Sequence, residues 1–231
     1  MLQAVKRALR RAGYDIVRYH PSFDRMLEKY DIDTIIDIGA NTGQFALDMH
    51  ARLPQAAIYS FEPLPDAFLA LVANLKQIPN SHAFNVALGE TDETTTIFRS
   101  SFTPSSSFLP MTGLLKKSYP KIAQTTEETV RVRRLDDMQE ELSLGRNLLV
   151  KLDVQGYEDK VLRGGAEVIA RAKMLMMEVS FVALYEQQPL FGDIYRIVSD
   201  MGFVYAGSRE RHYDPKTEAL LYEDALFAKR N

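Results

Sequence analysis

The stretch that most constrains this chain runs from Thr34 to Phe45. A continuous apolar run, Thr34-Ile35-Ile36-Asp37-Ile38, breaks at Gly39-Ala40-Asn41-Thr42-Gly43 and gives way to Phe45, Ala46, Met49 and Leu53 at helical spacing. That order predicts a strand buried on both faces, a glycine turn, and a helix packed back on the sheet. Gly39 and Gly43 let the backbone turn tightly and approach a ligand closely. The next apolar run, Ala57-Ile58-Tyr59-Ser60-Phe61, ends in Glu62, about where a second-strand acid takes ribose hydroxyls in doubly wound folds.

The spacing also bears on the ligand. A pyrophosphate site asks for G-x-G-x-x-G, whose glycines admit the diphosphate to a helix N-terminus. Here the spacing is G-x-x-x-G with Asp37 ahead of it, and an acid beside the turn suits a cationic nucleoside better than a phosphorylated one. S-adenosylmethionine has an adenosine for Glu62, an ammonium and a sulfonium, and no phosphate. It is therefore the expected cofactor, with NAD the alternative. Asn85, or the backbone near Ala87, is expected at the adenine, because the third strand should end beside Glu62.

At 231 residues, 46% hydrophobic and 26% charged, the chain can bury one sizeable core. The expected organisation is an N-terminal helical segment over residues 1–30 and a single globular domain over 31–231. A net charge of −3 provides no electrostatic footprint for nucleic acid, and no N-P-P-Y-type base-flipping element is present. The absence of cysteine excludes disulfides, thiolate metal sites and a cysteine nucleophile. No apolar run is long enough to span a membrane and no signal-like core opens the chain, so the expected location is the cytoplasm. Residues 1–13 place Leu2, Val5, Leu9 and Ala12 on one helical face and Lys6, Arg7, Arg10 and Arg11 on the other. That face is either the solvated side of a packed helix or a weak contact for an anionic membrane surface.

Phe23, Met26, Leu27 and Tyr30 predict a short helix before the first strand, and Phe68, Leu71, Val72 and Leu75 one after the second. His82 to Leu88 reads as the third strand, and residues 94–98 and 129–133 as two more. The polar connection between these two is read as a lid over the acceptor side or a surface loop. A second glycine element follows, Asn147-Leu-Leu-Val-Lys151-Leu-Asp153-Val-Gln155-Gly156-Tyr-Glu158. Lys151 and Asp153, two apart, face the same side of a buried strand, where charges are costly unless paired with each other or a ligand. Glu178 ends the next strand, so Asp153 and Glu178 are expected to flank one crevice as base and polar orienter. As oxygen ligands for Mg²⁺ or Ca²⁺ they lack a clear third partner, Glu158 or Asp37 being the options, so a divalent metal is not favoured. A helix over Ile194, Ile197, Val198 and Met201 precedes two closing strands at 203–205 and 224–228, with Arg209, Arg211, His212 and Tyr213 expected on the loop between them.

The chain resembles the FkbM family of S-adenosylmethionine-dependent methyltransferases. The resemblance rests on Asp37-Ile-Gly-Ala-Asn-Thr-Gly43, Phe61-Glu62-Pro63, Asn85-Val-Ala-Leu-Gly89, Arg134-Leu-Asp-Asp137, Lys151-Leu-Asp-Val-Gln-Gly-Tyr-Glu158 and Glu178-Val179. It implies an α/β fold: a doubly wound, mostly parallel seven-stranded sheet with its last strand antiparallel. It also implies that Asp37, Gly39, Asn41 and Gly43 surround the methionine part of the cofactor and that Glu62 holds the ribose. The implied reaction is methyl transfer to a hydroxyl of a sugar, glycan or natural product. Gln155 stands where the family frequently has an acid, which removes one possible metal ligand. The expected catalytic group is Asp153 as base or hydroxyl orienter, with Lys151 and Glu178 fixing it and stabilising charge. The rival readings are a nicotinamide-dependent oxidoreductase and a catalytically silent S-adenosylmethionine-binding protein.

Overall fold

The first strand, β1 (Thr34–Ile38), is buried at every position because it lies between two parallel neighbours, β2 (Ala57–Phe61) and β7 (Leu148–Leu152). The structure is a computed structural model that describes residues 22–214 and 217–230. The basic amphipathic segment at 1–13 lies outside the described residues. Chain order supplies α1 (Ser22–Tyr30), α2 (Gln44–Arg52), α3 (Pro65–Leu75), β3 (Ser81–Phe84), β4 (Ala87–Leu88), β5 (Glu93–Ser100), α4 (Gly113–Ser118) and β6 (Thr125–Arg133). After β7 come α5 (Glu158–Gly164), α6 (Ala166–Ala170), β8 (Met174–Ser180), α7 (Phe191–Asp200), β9 (Phe203–Tyr213) and β10 (Leu220–Lys229).

The main sheet has seven strands in the order β3-β2-β1-β7-β8-β10-β9, with β10 antiparallel to both neighbours. One face packs Ile35, Ile58 and Leu149 against α1, α2 and α3 through Leu27, Met49 and Leu71. The other packs Ile36, Val150 and Leu175 against α5, α6 and α7 through Leu162, Ile169 and Val198. Helices on both faces of a largely parallel sheet explain why its central strands read as unbroken apolar runs. Each strand end then opens on the same edge of the sheet, where a doubly wound fold places its ligand.

Three sequence expectations change. The run His82 to Leu88 is not one strand: β3 stays in the main sheet, whereas β4 joins a separate three-stranded sheet, β4-β6-β5. The break falls at Asn85, whose amide donates to the carbonyls of Glu62 and Pro63 and turns the chain away. The strands expected at 94–98 and 129–133 are longer and pair with each other over their whole length. Arg209, Arg211, His212 and Tyr213 lie on β9, not on a loop. This edge strand pairs with β10 through register shifts, and its outer face is polar, which hides the strand period.

The connection from 101 to 124 packs over the carboxyl edge of the sheet. Ser107 Oγ donates to the Gln155 carbonyl at 2.6 Å, the Phe98 and Ser107 backbones exchange two hydrogen bonds, and Met111 bridges Tyr185. No described helix is long and apolar enough to cross a membrane.

Candidate active site

The turn after β1 is shaped by left-handed backbone at Gly39, Asn41 and Gly43, with φ of 74°, 48° and 91°. Gly39 is required on two counts, since a Cβ there would sit 2.0 Å from the carbonyl oxygen of Asp153 on the neighbouring turn. The Gly39 and Ala40 N–H groups donate to the Phe61 carbonyl, and Asn41 Oδ1 accepts from Thr42 N–H. Glu62 clamps the loop: one carboxylate oxygen accepts the Asn41 N–H and the other the Leu64 N–H, both at 2.9 Å. Burial pushes the Glu62 carboxyl up to about 7, against the pull of these two donors.

Beside this clamp lies a narrow cleft. Gly39, Asn41, Glu62 and Ala87 line it, with Leu64, Leu88, Ile97 and Phe108 as its apolar end and Pro104 of the 101–124 connection above. A carboxylate oxygen has room for more than one donor, so Glu62 can accept hydroxyls as well as N–H groups. The lining offers apolar side chains for a base and a carboxylate for a sugar. Asn85 does not line it, because its amide is spent on the Glu62–Pro63 turn.

Asp37 is also not at the cavity. Its side chain is 0% exposed, beneath the turn, with Lys151 Nζ at 3.1 Å. This corrects the expected pairing of Lys151 with Asp153, whose carboxylate is farther away at 3.9 Å. The reason is register: Asp37 and Lys151 are cross-strand neighbours on β1 and β7, on the same face. Lys151 also donates to the Gly39 carbonyl at 2.8 Å, tying the pair to the turn. The Asp37 oxygens receive no aligned hydrogen bond among the described residues. Burial raises the Asp37 carboxyl while Lys151 opposes it. Burial also disfavours the charged form of Lys151, yet Asp37 and Asp153 hold its ammonium above its usual range.

The second turn repeats the plan. Gln155 and Gly156 take left-handed φ of 55° and 95°, and Glu158 Oε1 accepts the N–H groups of Val154 and Gly156, each at 3.2 Å. Burial pushes Glu158 up to about 7 as well. Here the acid at the strand end is half exposed, the Asp153 side chain keeping 41% of its surface. The Gln155 amide donates to Asp153 Oδ1 at 2.8 Å and to Glu178 Oε1 at 3.1 Å, while its oxygen accepts the Tyr185 hydroxyl at 2.7 Å. Asp153 and Glu178 thus meet through one amide. Burial, then the charges of Asp153 and Glu158, hold the Glu178 carboxyl well above its usual range.

Asp153 also lines a second, wider cavity with Gly39, Asn41, Lys151, Arg209 and Asp224. Arg209 is paired with Asp48 at 2.9 Å and lies over the Phe23 ring. Asp224 stands opposite Glu178 in the β10–β8 register, and burial pushes it up to about 6. Asp224, Arg209 and Tyr185 were not anticipated as site residues. Strand pairing and a chain reversal bring them in, and neither leaves a local motif. Among the described residues no group of three or more His, Asp or Glu side chains is arranged to hold a metal ion.

The strand order and the antiparallel β10 are those of a class I S-adenosylmethionine-dependent methyltransferase. A solved putative rRNA methylase from Clostridium thermocellum shares this fold at a TM-score of 0.51 and 5% identity, over 94% of this chain and 99% of that one. The Methyltransferase FkbM domain matches residues 37–205, and the chain belongs to that family. It is similar to 2-O-methyltransferase NoeI of Sinorhizobium fredii, 28% identical over 74% of this chain and 73% of the relative. It is also similar to the 31-O-demethyl-FK506 methyltransferase FkbM of Streptomyces tacrolimicus, 28% identical over 76% and 77%.

Proposed function

We propose that this enzyme methylates a hydroxyl of a sugar, glycan or other natural product, with Asp153 as the group that orients the hydroxyl and takes its proton. The observation that carries this reading is the position of Asp153. It is a half-exposed carboxylate shared by the cleft beside Glu62 and the polar cavity next to it, with Gly39, Asn41 and Pro104 as the rest of the common wall. Relatives named as a 2-O-methyltransferase, a 31-O-demethyl-FK506 methyltransferase and a hexuronic acid methyltransferase support an oxygen acceptor.

In this reading Gly39, Asn41, Gly43, Glu62 and the backbone at Ala87 hold S-adenosylmethionine, which when bound supplies an electrophilic methyl on a sulfonium. Glu62 accepts hydroxyls of the ribose, and the apolar walls at Leu88 and Phe108 take the base. Asp37 acts from below, holding Lys151 against the turn. Asp153 would orient the acceptor hydroxyl and take the proton it gives up when methylated. The Gln155 amide, with Lys151 3.9 Å away, holds that carboxylate in place. Residues 31–231 form the catalytic domain, working in the cytoplasm.

The test is radiolabelled methyl transfer to saccharide and natural-product extracts, with S-adenosylhomocysteine affinity read by calorimetry. Asp153→Asn should lower turnover about 10²-fold or more and leave that affinity unchanged. Full turnover in this variant removes Asp153 from the mechanism, and no affinity for S-adenosylhomocysteine in the parent removes the cofactor assignment.

A further inference from the structure

A third cavity lies on the other side of Gln155. At its inner end are Gln155 and Glu178; its walls are Phe102, Tyr119, Tyr185 and Tyr222. A surface groove that includes Pro120 shares Phe102, Tyr119 and Ile122 with it. Gln155 also lines the cleft beside Glu62 and its amide donates to Asp153, which sets this space next to Asp153 across one side chain. The polar partners gather at the inner end, where Tyr185 donates to Gln155 and Gln155 to Asp153 and Glu178. The outer end is apolar, and Phe102 on its lip is 57% exposed.

From this arrangement we propose that the acceptor is amphiphilic: the hydroxyl-bearing part sits at Asp153, and an apolar alkyl or aryl group attached to it lies along Tyr119, Phe102 and Ile122. The proposal rests on the methyltransferase reading above and adds the acceptor's shape and polarity. The cavity that Asp153 lines with Asp224 and Arg209 carries charge, whereas the one toward Phe102, across Gln155, is walled by rings. A free monosaccharide would leave the ring-lined cavity and its exposed phenyl uncovered, whereas an attached apolar chain buries both. Glu178, the one carboxyl in this cavity, is held toward its neutral form by burial, which lowers the cost of an apolar neighbour.

The test compares n-octyl β-D-glucopyranoside, below its micelle concentration, with methyl β-D-glucopyranoside on protein saturated with S-adenosylhomocysteine, by calorimetry. The octyl compound should bind about tenfold or more tightly, a fraction of what full burial of the chain would deliver. Phe102→Ala should cut that advantage to about threefold or less without changing S-adenosylhomocysteine affinity. Ile122→Ser, on the opposite lip, supplies an independent reading of the same groove. Equal binding of the two glucosides, binding of neither, or an octyl advantage that survives both substitutions overturns the proposal. Loss of S-adenosylhomocysteine binding in the parent protein is a separate result, and it removes the cofactor assignment instead.

Discussion

The turn after β1 and the turn after β7 each follow a buried parallel strand, pass through left-handed glycine and hand the chain to a helix. Each is also clamped by a buried glutamate, Glu62 in one and Glu158 in the other, that collects two backbone N–H groups. They differ in where the strand-end acid goes. Asp37 is sealed under its turn against Lys151, while Asp153 stands half open between two cavities. One local design thus yields a sealed ion pair in the first case and a half-exposed carboxylate in the second. What separates them is the cation: Lys151 on β7 stands opposite Asp37 at 3.1 Å but 3.9 Å from Asp153.

The largest expected effect tests the sealed acid. Lys151→Met leaves the Asp37 carboxylate buried without its cation and should cost about 3–5 kcal/mol in urea unfolding. Adding Asp37→Leu should restore much of the loss, because an apolar pair tolerates burial that a lone charge does not. A Lys151→Met protein as stable as the parent would mean that Asp37 needs no partner. The two glycine turns should separate next. In Gly39→Ala the new methyl meets the backbone oxygen of Asp153 in a left-handed conformation, so the loss should reach several kcal/mol or abolish folding. Gly156→Ala carries the left-handed strain, but its contacts, starting at 3.3 Å, are all with side chains, and about 1–2 kcal/mol is expected. Thermal melts of the pair decide the order; a reversal would make the second turn the stricter one.

How far this site was legible in the sequence follows from the same contrast. Both turns announce themselves, because a buried strand is an apolar run and a sharp left-handed turn calls for glycine. That Glu62 stands at the ligand edge was legible from its place at the end of the second apolar run, and that Lys151 must be paired was legible from its burial. Its partner was not, since spacing along one strand pointed to Asp153 while the true neighbour belongs to the strand alongside. Asp224 enters by pairing of β10 with β8, and Tyr185 by a chain reversal after β8, both long-range events. The second sheet was missed for a related reason: β5 and β6 alternate correctly as strands, but nothing local states that they pair only with each other and β4.

The two clamps also titrate alike. Burial raises each glutamate from its ordinary 4.5 to about 7, so the protein without its cofactor is stabilised by their protonated forms. That stability is complete below about 4.5 and is lost as pH rises through about 7. At about 1.4 kcal/mol for each tenfold change in acidity, the loss is on the order of 3 kcal/mol per glutamate. Glu158→Gln keeps the accepting oxygen and removes the charge. Its unfolding free energy should therefore fall less than that of the parent between pH 5 and pH 8. An unchanged slope would remove Glu158 from the titration.

The smallest effect distinguishes the clamps from each other, because only Glu62 lines the cofactor cavity. Hydroxyl donors in that cavity favour the carboxylate over the carboxylic acid, so ligand binding must lower the raised Glu62 value and release its proton. The affinity for S-adenosylhomocysteine should accordingly weaken as pH falls through about 7, by about tenfold between pH 8 and pH 6. Glu62→Gln should bind more weakly and show little of this slope. Glu158→Gln should keep the parent's slope, since its carboxyl meets backbone and not ligand. Calorimetry of the three proteins across that range tests the assignment directly. If Glu158→Gln flattens the curve and Glu62→Gln leaves it intact, the second turn and not the first carries the cofactor's sugar.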